Sequence, residues 1–167
     1  MGQLLYIYNF DLNMADLKEG DPAPLFESVD QEGKKISLGD YRGKKVVLYF
    51  YPKDDTPGCT AEACDLRDNY QDFLDRGFEI LGVSADDTKS HQKFISKYDL
   101  PFRLISDVDR KLLEAYGAWG EKKMYGKSYM GILRKTFVIG SDGIIEKIIE
   151  KVNTKEHSKQ IFEELSH

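Results

Sequence analysis

The pattern of apolar residues changes period once between Lys45 and Arg76, and this change restricts the possible folds more than any other feature. Residues Lys45–Tyr51 are apolar on both alternating faces, which is typical of a strand buried on both sides in a sheet covered by helices. Pro52 ends this run. From Pro57 to Arg76 apolar residues recur at steps of three and four, which predicts a helix, and Gly77 is typical of its C-terminal cap. A doubly buried strand that leads into such a helix requires a layered α/β fold.

The other periodic segments complete the layout. Strands are predicted at Phe26–Val29, Lys35–Leu38, Phe78–Ser84, Phe102–Ile105, Lys135–Ile139 and Ile144–Lys151. Helices are predicted at Thr88–Tyr98, Asp109–Tyr116 and Lys155–Leu165. A βαβ unit followed by an antiparallel ββα unit is the layout of a thioredoxin-like fold. Here that α/β fold carries an N-terminal β-hairpin extension and an inserted strand–helix pair.

The length of 167 residues suits one domain. We predict a single domain over residues 14–167, and residues 1–13 as an upstream extension or an expression remnant whose run Leu4–Tyr8 suits an edge strand. The net charge of −5 disfavours nucleic acid and anionic membranes as partners. No basic residue precedes Lys18, which disfavours a secretory or mitochondrial leader. We therefore expect a cytoplasmic protein that binds neither nucleic acid nor membrane.

The chain contains two cysteines, Cys59 and Cys64. Thr56 before Pro57 is a helix-start signal, which places Cys59 in the first turn of the predicted helix. Unpaired backbone N–H groups and the positive end of the helix dipole favour an anion there, and the thiolate is the reactive form of cysteine. The alternative is that Cys59 is a small buried apolar residue, since free cysteine is among the most buried residue types.

The spacing of the two cysteines restricts how they can react. Five residues along an intact helix separate Cα atoms by ~8.7 Å. A disulfide tolerates no more than about 7 Å. A bond between Cys59 and Cys64 therefore requires at least the first turns of the helix to unwind.

The segment Pro52-x-x-x-Thr56-x-x-Cys59 matches the active-site motif of the peroxiredoxins. The run Thr-Pro-Gly-Cys-Thr-x-x-x-Cys resembles their Q type, the bacterioferritin-comigratory-protein class of atypical 2-Cys enzymes. The resemblance extends from about Lys18 to the C-terminus, and includes the runs that begin at Leu66, Trp119 and Gly131.

This resemblance implies a role for each matching residue. Cys59 is the peroxidatic cysteine and Cys64 the resolving one, while Thr56 hydrogen-bonds the sulfur and the peroxide. Pro52 shields the site from water, and Arg134 stabilises the thiolate.

The resemblance also implies a thiol-dependent peroxidase that reduces hydrogen peroxide and organic hydroperoxides. A sulfenic acid forms on Cys59 and condenses into an intramolecular Cys59–Cys64 disulfide, which thioredoxin or a similar dithiol donor reduces. No cofactor and no metal is implied, and we expect a monomer or weak homodimer.

Other interpretations of these residues exist. Without the resemblance, Arg134 is interpreted as a member of a surface salt bridge. Trp119 and Tyr125 are interpreted as residues that pack beneath a loop. The three histidines, at 91, 157 and 167, have no zinc-site spacing and read as surface residues. Rival functions are a disulfide reductase acting on proteins, which needs its sulfurs close in the folded state, and a non-enzymatic binding module with incidental cysteines.

Overall fold

The computed structural model describes residues 16–166. The predicted edge strand at Leu4–Tyr8, the boundary between residues 13 and 14, and His167 lie outside these residues. Within the described part, no helix is both long enough and apolar enough to cross a membrane.

The predicted elements occur in the predicted order, with one predicted helix divided in two and one additional hairpin. The strands are β1 (Glu27–Val29), β2 (Lys35–Ser37), β3 (Lys45–Phe50), β4 (Phe78–Ser84), β5 (Arg103–Ser106), β6 (Trp119–Met124), β7 (Lys127–Ile132), β8 (Lys135–Ile139) and β9 (Ile145–Ile149). The helices are α1 (Pro57–Asp68), α2 (Tyr70–Asp75), α3 (Thr88–Tyr98), α4 (Lys111–Ala115) and α5 (His157–Leu165).

Five strands form the central sheet in the order β5-β4-β3-β8-β9. Strands β3, β4 and β5 run parallel, whereas β8 is antiparallel to β3 and β9 is antiparallel to β8. This mixed sheet is that of a thioredoxin-like fold. The β1–β2 hairpin is separate from it, and β5 with α4 is the inserted strand–helix pair. The predicted fold class is confirmed.

Strand β3 lies at the centre of the sheet, and its side chains enter the core on both faces. Val46, Leu48 and Phe50 pack into one apolar cluster with residues of α4. Val47 and Tyr49 pack on the opposite face, with Cys59 and other residues of the helices. The prediction of a doubly buried strand is therefore confirmed, and the chain that leaves its end enters α1.

The single helix predicted from Pro57 to Arg76 is wrong, because the chain breaks at Asn69. Asn69 has φ −110° and ψ 11°, and its side-chain amide donates to the Asp65 carbonyl at 2.8 Å. Asparagine side chains compete with the backbone for such bonds and so favour helix ends. The apolar period continues across the break, which is why the pattern alone does not reveal it.

The β6–β7 hairpin was not predicted. Tyr125 and Gly126 form its turn with φ values of 53° and 78°. Tyr125 is 97% exposed, so its predicted packing beneath a loop is wrong. Trp119 is half-buried against the core, and the Arg110 guanidinium lies 4.5 Å from the centre of its ring. Lysine and glycine are poor strand formers and weaken the alternating pattern of this segment.

The prediction that the histidines lie on the surface is wrong for His91 and His157, whose exposed fraction is 0%. Both rings are buried because polar partners from other elements satisfy them. His91 Nδ1 lies 2.7 Å from Asp54 Oδ2, and His157 Nε2 lies 2.8 Å from Thr136 Oγ1. A buried polar group with such partners avoids the penalty of burial without a hydrogen bond.

Candidate active site

The end of β3 and the start of α1 hold the predicted motif. Pro52 is half-buried in the loop after β3, and Pro57 occupies the first position of the helix. Thr56 is extended at the N-cap position, with φ −93° and ψ 156°. Cys59 therefore lies in the first turn of α1, as predicted, and only 1% of its surface is exposed.

The side chain of Thr56 closes the loop rather than capping the helix. Its hydroxyl donates to the Lys53 carbonyl at 2.9 Å, and no side-chain capping bond is formed. A hydroxyl has one proton and two lone pairs. Because its proton is donated to Lys53, the Thr56 hydroxyl can only accept hydrogen bonds from any further partner. Its contact with the reacting sulfur and with peroxide stays a prediction.

Arg134, in the short connection between β7 and β8, contacts the sulfur directly. Its Nη2 donates to Cys59 Sγ at 3.3 Å and its Nη1 to Glu62 Oε1 at 2.7 Å. The Arg134 side chain is 22% exposed and Glu62 is buried, so the pair is no ordinary surface salt bridge. A β-carbon at Gly58 would lie 3.3 Å from Nη2, so glycine there leaves room for the guanidinium. A cation that cannot lose its charge thus faces the thiol.

Glu62 is a site residue that the sequence analysis missed. Burial raises its pKa to about 7, against the opposing effect of Arg134. Its second oxygen, Oε2, has no hydrogen-bond partner among residues 16–166 and lies 3.4 Å from His157 Nε2. Burial lowers the pKa of His157 to about 4, so this ring is neutral at neutral pH. The signal in the sequence was a carboxylate on the apolar stripe formed by Cys59, Ala63 and Leu66.

Cys64 lies on the same intact helix as Cys59. Both cysteines are free, and Cys64 is half-exposed where Cys59 is buried. The predicted separation of the two Cα atoms, ~8.7 Å, follows from this helix. The next residue, Asp65, ties α1 to the start of α5, because its Oδ2 accepts from the Ser158 N–H at 2.7 Å and its carbonyl from the Ser158 hydroxyl at 3.3 Å.

Asp54, in the loop between Pro52 and Thr56, is the centre of a second buried network. Its carboxylate accepts from the hydroxyls of Tyr51 and Ser90 at 2.7 and 2.8 Å, and its N–H donates to Asp86 Oδ2 at 2.8 Å. Asp54, Asp86 and His91 bring one ligand atom each close enough to share a metal ion. These carboxylate oxygens already accept hydrogen bonds, so the arrangement is that of a hydrogen-bond network.

A family model described as the AhpC/TSA family matches residues 19–148. The chain belongs to this family. Its relatives include "Peroxiredoxin Bcp" of Bacillus subtilis, 47% identical over 146 residues that cover 87% of this chain and 93% of the relative. "Peroxiredoxin Bcp" of Escherichia coli is 44% identical over 144 residues, 86% of this chain and 92% of the relative.

Solved structures agree with this assignment. A mutant of peroxiredoxin Q from Xanthomonas campestris superposes with a TM-score of 0.79 at 35% identity, covering 93% of each chain. A PrxQ mutant from Xylella fastidiosa gives a TM-score of 0.83 at 32% identity, covering 90% of this chain and 96% of the other. The protein is thus a peroxiredoxin of the Q or Bcp type and a peroxidase.

In this peroxiredoxin the residues predicted from sequence fall into two groups. Cys59 and Arg134 are in contact, and Pro52 and Thr56 lie in the loop that precedes Cys59. Cys64 lies on the same helix but out of bonding reach of Cys59. The residues that sequence reasoning missed are carboxylates and histidines behind the site, which come together only in the folded chain.

Proposed function

We propose that Cys59 of this peroxiredoxin is the peroxidatic nucleophile and Cys64 the resolving thiol of an intramolecular cycle. The observation that carries the proposal is the contact of 3.3 Å between Arg134 Nη2 and Cys59 Sγ, in the first turn of a helix. Guanidinium and helix N-terminus both favour the thiolate over the thiol.

In the first step the Cys59 thiolate attacks one oxygen of the peroxide. An S–O bond forms and the O–O bond breaks, and the departing oxygen leaves as hydroxide or alkoxide, which takes up a proton to give water or alcohol. Sulfur is oxidised to the sulfenic acid as the peroxide is reduced. Arg134 offers fixed positive charge where negative charge moves from sulfur to oxygen. A free lone pair of the Thr56 hydroxyl accepts a hydrogen bond from the O–H group of the peroxide, and Pro52 keeps bulk water from the sulfur.

In the second step the Cys64 thiolate attacks the sulfenic sulfur. The S–S bond forms, the S–O bond breaks, and the hydroxyl group leaves as water after protonation. Since α1 holds the cysteines too far apart, its first turns unwind before this step.

A dithiol donor then reduces the disulfide by thiol–disulfide exchange and is itself oxidised. We assign this role to thioredoxin or a similar protein, and hydrogen peroxide and organic hydroperoxides to the substrate site. We also propose a cytoplasmic setting, where dithiol donors keep thiols reduced. We propose a monomer or weak homodimer as the working form.

The test is peroxide consumption by the reduced protein, with and without a thioredoxin system. We expect sustained consumption by the wild type and loss of the first turnover in Cys59→Ser. Cys64→Ser should keep one turnover per subunit and accumulate a sulfenic acid that a dimedone probe traps.

The control is an insulin-reduction assay on the same samples, because a protein disulfide reductase would be active there and inert towards peroxide. Equal loss of the first turnover in both cysteine variants would contradict the assignment. Peroxide consumption that survives both substitutions would support an incidental role for the cysteines.

A further inference from the structure

We propose that His91 is a positioning residue, which holds the active-site loop in place through Asp54; the inference rests on the proposed function of Cys59. His91 lies on α3, outside the sequence motif and on a different element from the reacting sulfur. Its Nδ1 lies 2.7 Å from Asp54 Oδ2, and its Nε2 lies 3.0 Å from the Ile105 carbonyl. The exposed fractions of the His91 and Asp54 side chains are 0% and 4%.

The hydrogen-bond partners hold both members of this buried pair. The Asp54 carboxylate accepts from the hydroxyls of Tyr51 and Ser90, and its Oδ2 lies 2.7 Å from His91 Nδ1. His91 Nε2 lies 3.0 Å from the Ile105 carbonyl oxygen, so each ring nitrogen has an oxygen partner. Removing one member of such a pair leaves the polar atoms of the other buried without a hydrogen bond, which carries a desolvation penalty.

The same helix holds the next loop residue as well. Asp55 accepts from Lys97 Nζ and from the Tyr98 hydroxyl, both at 2.8 Å, and has a left-handed φ of 59°. A residue other than glycine keeps such a conformation when its surroundings fix it. Helix α3 thus fixes two successive residues of the loop, and Thr56 follows them directly.

This arrangement sets the place where α1 begins. Thr56 and the first turn around Cys59 follow a loop whose position α3 determines, while Arg134 contacts the sulfur from the connection between β7 and β8. A displacement of about 1 Å between reacting groups can lower a rate by about 100-fold. His91 therefore acts on the peroxide step through loop position, without touching sulfur or substrate.

Two variants separate positioning from packing. His91→Asn keeps an amide donor near the position of Nδ1, next to Asp54, and loses the donor to Ile105. His91→Gln reverses this and keeps the donor to Ile105. The readout is the second-order rate constant of Cys59 oxidation by hydrogen peroxide in stopped-flow single turnovers. We expect about a 10- to 100-fold loss in His91→Gln and no more than about a threefold loss in His91→Asn.

Ile95→Ala is the matched control, because Ile95 is half-buried on the same helix and packs against the core with an apolar side chain that makes no hydrogen bond. It should lower the melting temperature while keeping the rate constant. Equal rate constants in His91→Gln and the wild type would overturn the proposal. It would also be overturned if the rate constants of both histidine variants fell in proportion to their melting temperatures. A wild type with no rapid oxidation of Cys59 would instead contradict the proposed function.

Should His91→Gln fail to fold, Ser90→Ala provides the second test, because it removes one donor to Asp54 and leaves the contact between Asp54 and His91 in place. We expect faster amide exchange at Asp54 and Asp55, together with a rate constant lowered about three- to tenfold. Unchanged exchange and an unchanged rate would overturn the proposal.

Discussion

Arg134 makes two contacts at once, and its chemistry explains why arginine occupies this position. One Nη atom faces the Cys59 sulfur and the other faces the Glu62 carboxylate. A planar guanidinium presents its donors in a rigid fork, whereas the lysine ammonium is a point charge on a flexible stem. The fork therefore fixes the direction of the positive charge as well as supplying it.

This argument predicts that Arg134→Lys lowers the rate constant of Cys59 oxidation by about 100-fold, although the formal charge is kept. Stopped-flow oxidation by hydrogen peroxide measures it. Arg42→Lys, at an exposed position, is the control and should react like the wild type. A rate constant within threefold of the wild type in Arg134→Lys would show that charge alone suffices.

Residues near each other in sequence were predicted well, and residues from distant segments were not. The position of Cys59 in the first helical turn follows from Thr56 and Pro57 alone. The Glu62 carboxylate is buried because Arg134, 72 positions away, binds it. His91 meets Asp54 from 37 positions away. The local sequence pattern contains no information about partners from distant segments, so the buried polar networks cannot be predicted from it.

Because the chain breaks at Asn69, α1 ends after the two cysteines and before α2 begins. Helix α1 contains Cys59 and Cys64, and α2 begins at Tyr70. Helix ends are the least constrained parts of a helix, and segments that move in function belong to the less stable parts of a protein. We therefore expect the unwinding to stop at Asn69, before α2, whose Phe73 is fully buried.

We predict that oxidation to the disulfide removes amide protection over residues 58–68. Strands β3 and β4 should keep their protection, because they lie in the core of the sheet. Hydrogen exchange of reduced and oxidised protein, followed by mass spectrometry, measures both. The Cys64→Ser variant treated with peroxide is the control and should retain the protection of α1. Identical exchange of the two redox forms would contradict the unwinding step.

At the scale of elements, regular runs with clear ends are predicted closely, whereas the break at Asn69 and the β6–β7 hairpin are not. Strand β4 and helix α3 have the predicted bounds, because each is a regular run with clear ends. The β6–β7 hairpin escaped prediction because its lysines and glycines hide the alternation of a solvated two-stranded ribbon. Its turn at Tyr125 and Gly126 is set by backbone conformation, which composition reveals poorly.

Glu62 and His157 connect the active site to the stability of the whole molecule. Burial raises the pKa of Glu62 from 4.5 to about 7, so between these pH values the folded state holds a proton that the unfolded chain has released. The free energy of unfolding then falls as pH rises through this range. Burial lowers the pKa of His157 from 6.5 to about 4, so its contribution is lost as pH falls through that range.

Glu62→Gln should therefore gain stability relative to the wild type as pH rises. We expect the difference in unfolding free energy to shift towards the variant by about 3 kcal/mol between pH 4.5 and 7.5. Urea unfolding at several pH values measures the difference, and Glu163→Gln, exposed on α5, should show none of this trend. A difference independent of pH would contradict the burial of a protonated carboxyl group.

The bonds from Ser158 to Asp65 have a consequence for the cooperativity of the chain. Asp65, the residue after Cys64, accepts hydrogen bonds from the N–H and the hydroxyl of Ser158 at the start of α5. Unwinding α1 as far as Asp65 would therefore also free the first turn of α5. In the proposed cycle the two segments would open as one cooperative unit, and the barrier to closing the disulfide would include the stability of the C-terminal helix. A substitution that weakens α5, far along the chain from either cysteine, would speed resolution and shorten the lifetime of the sulfenic acid.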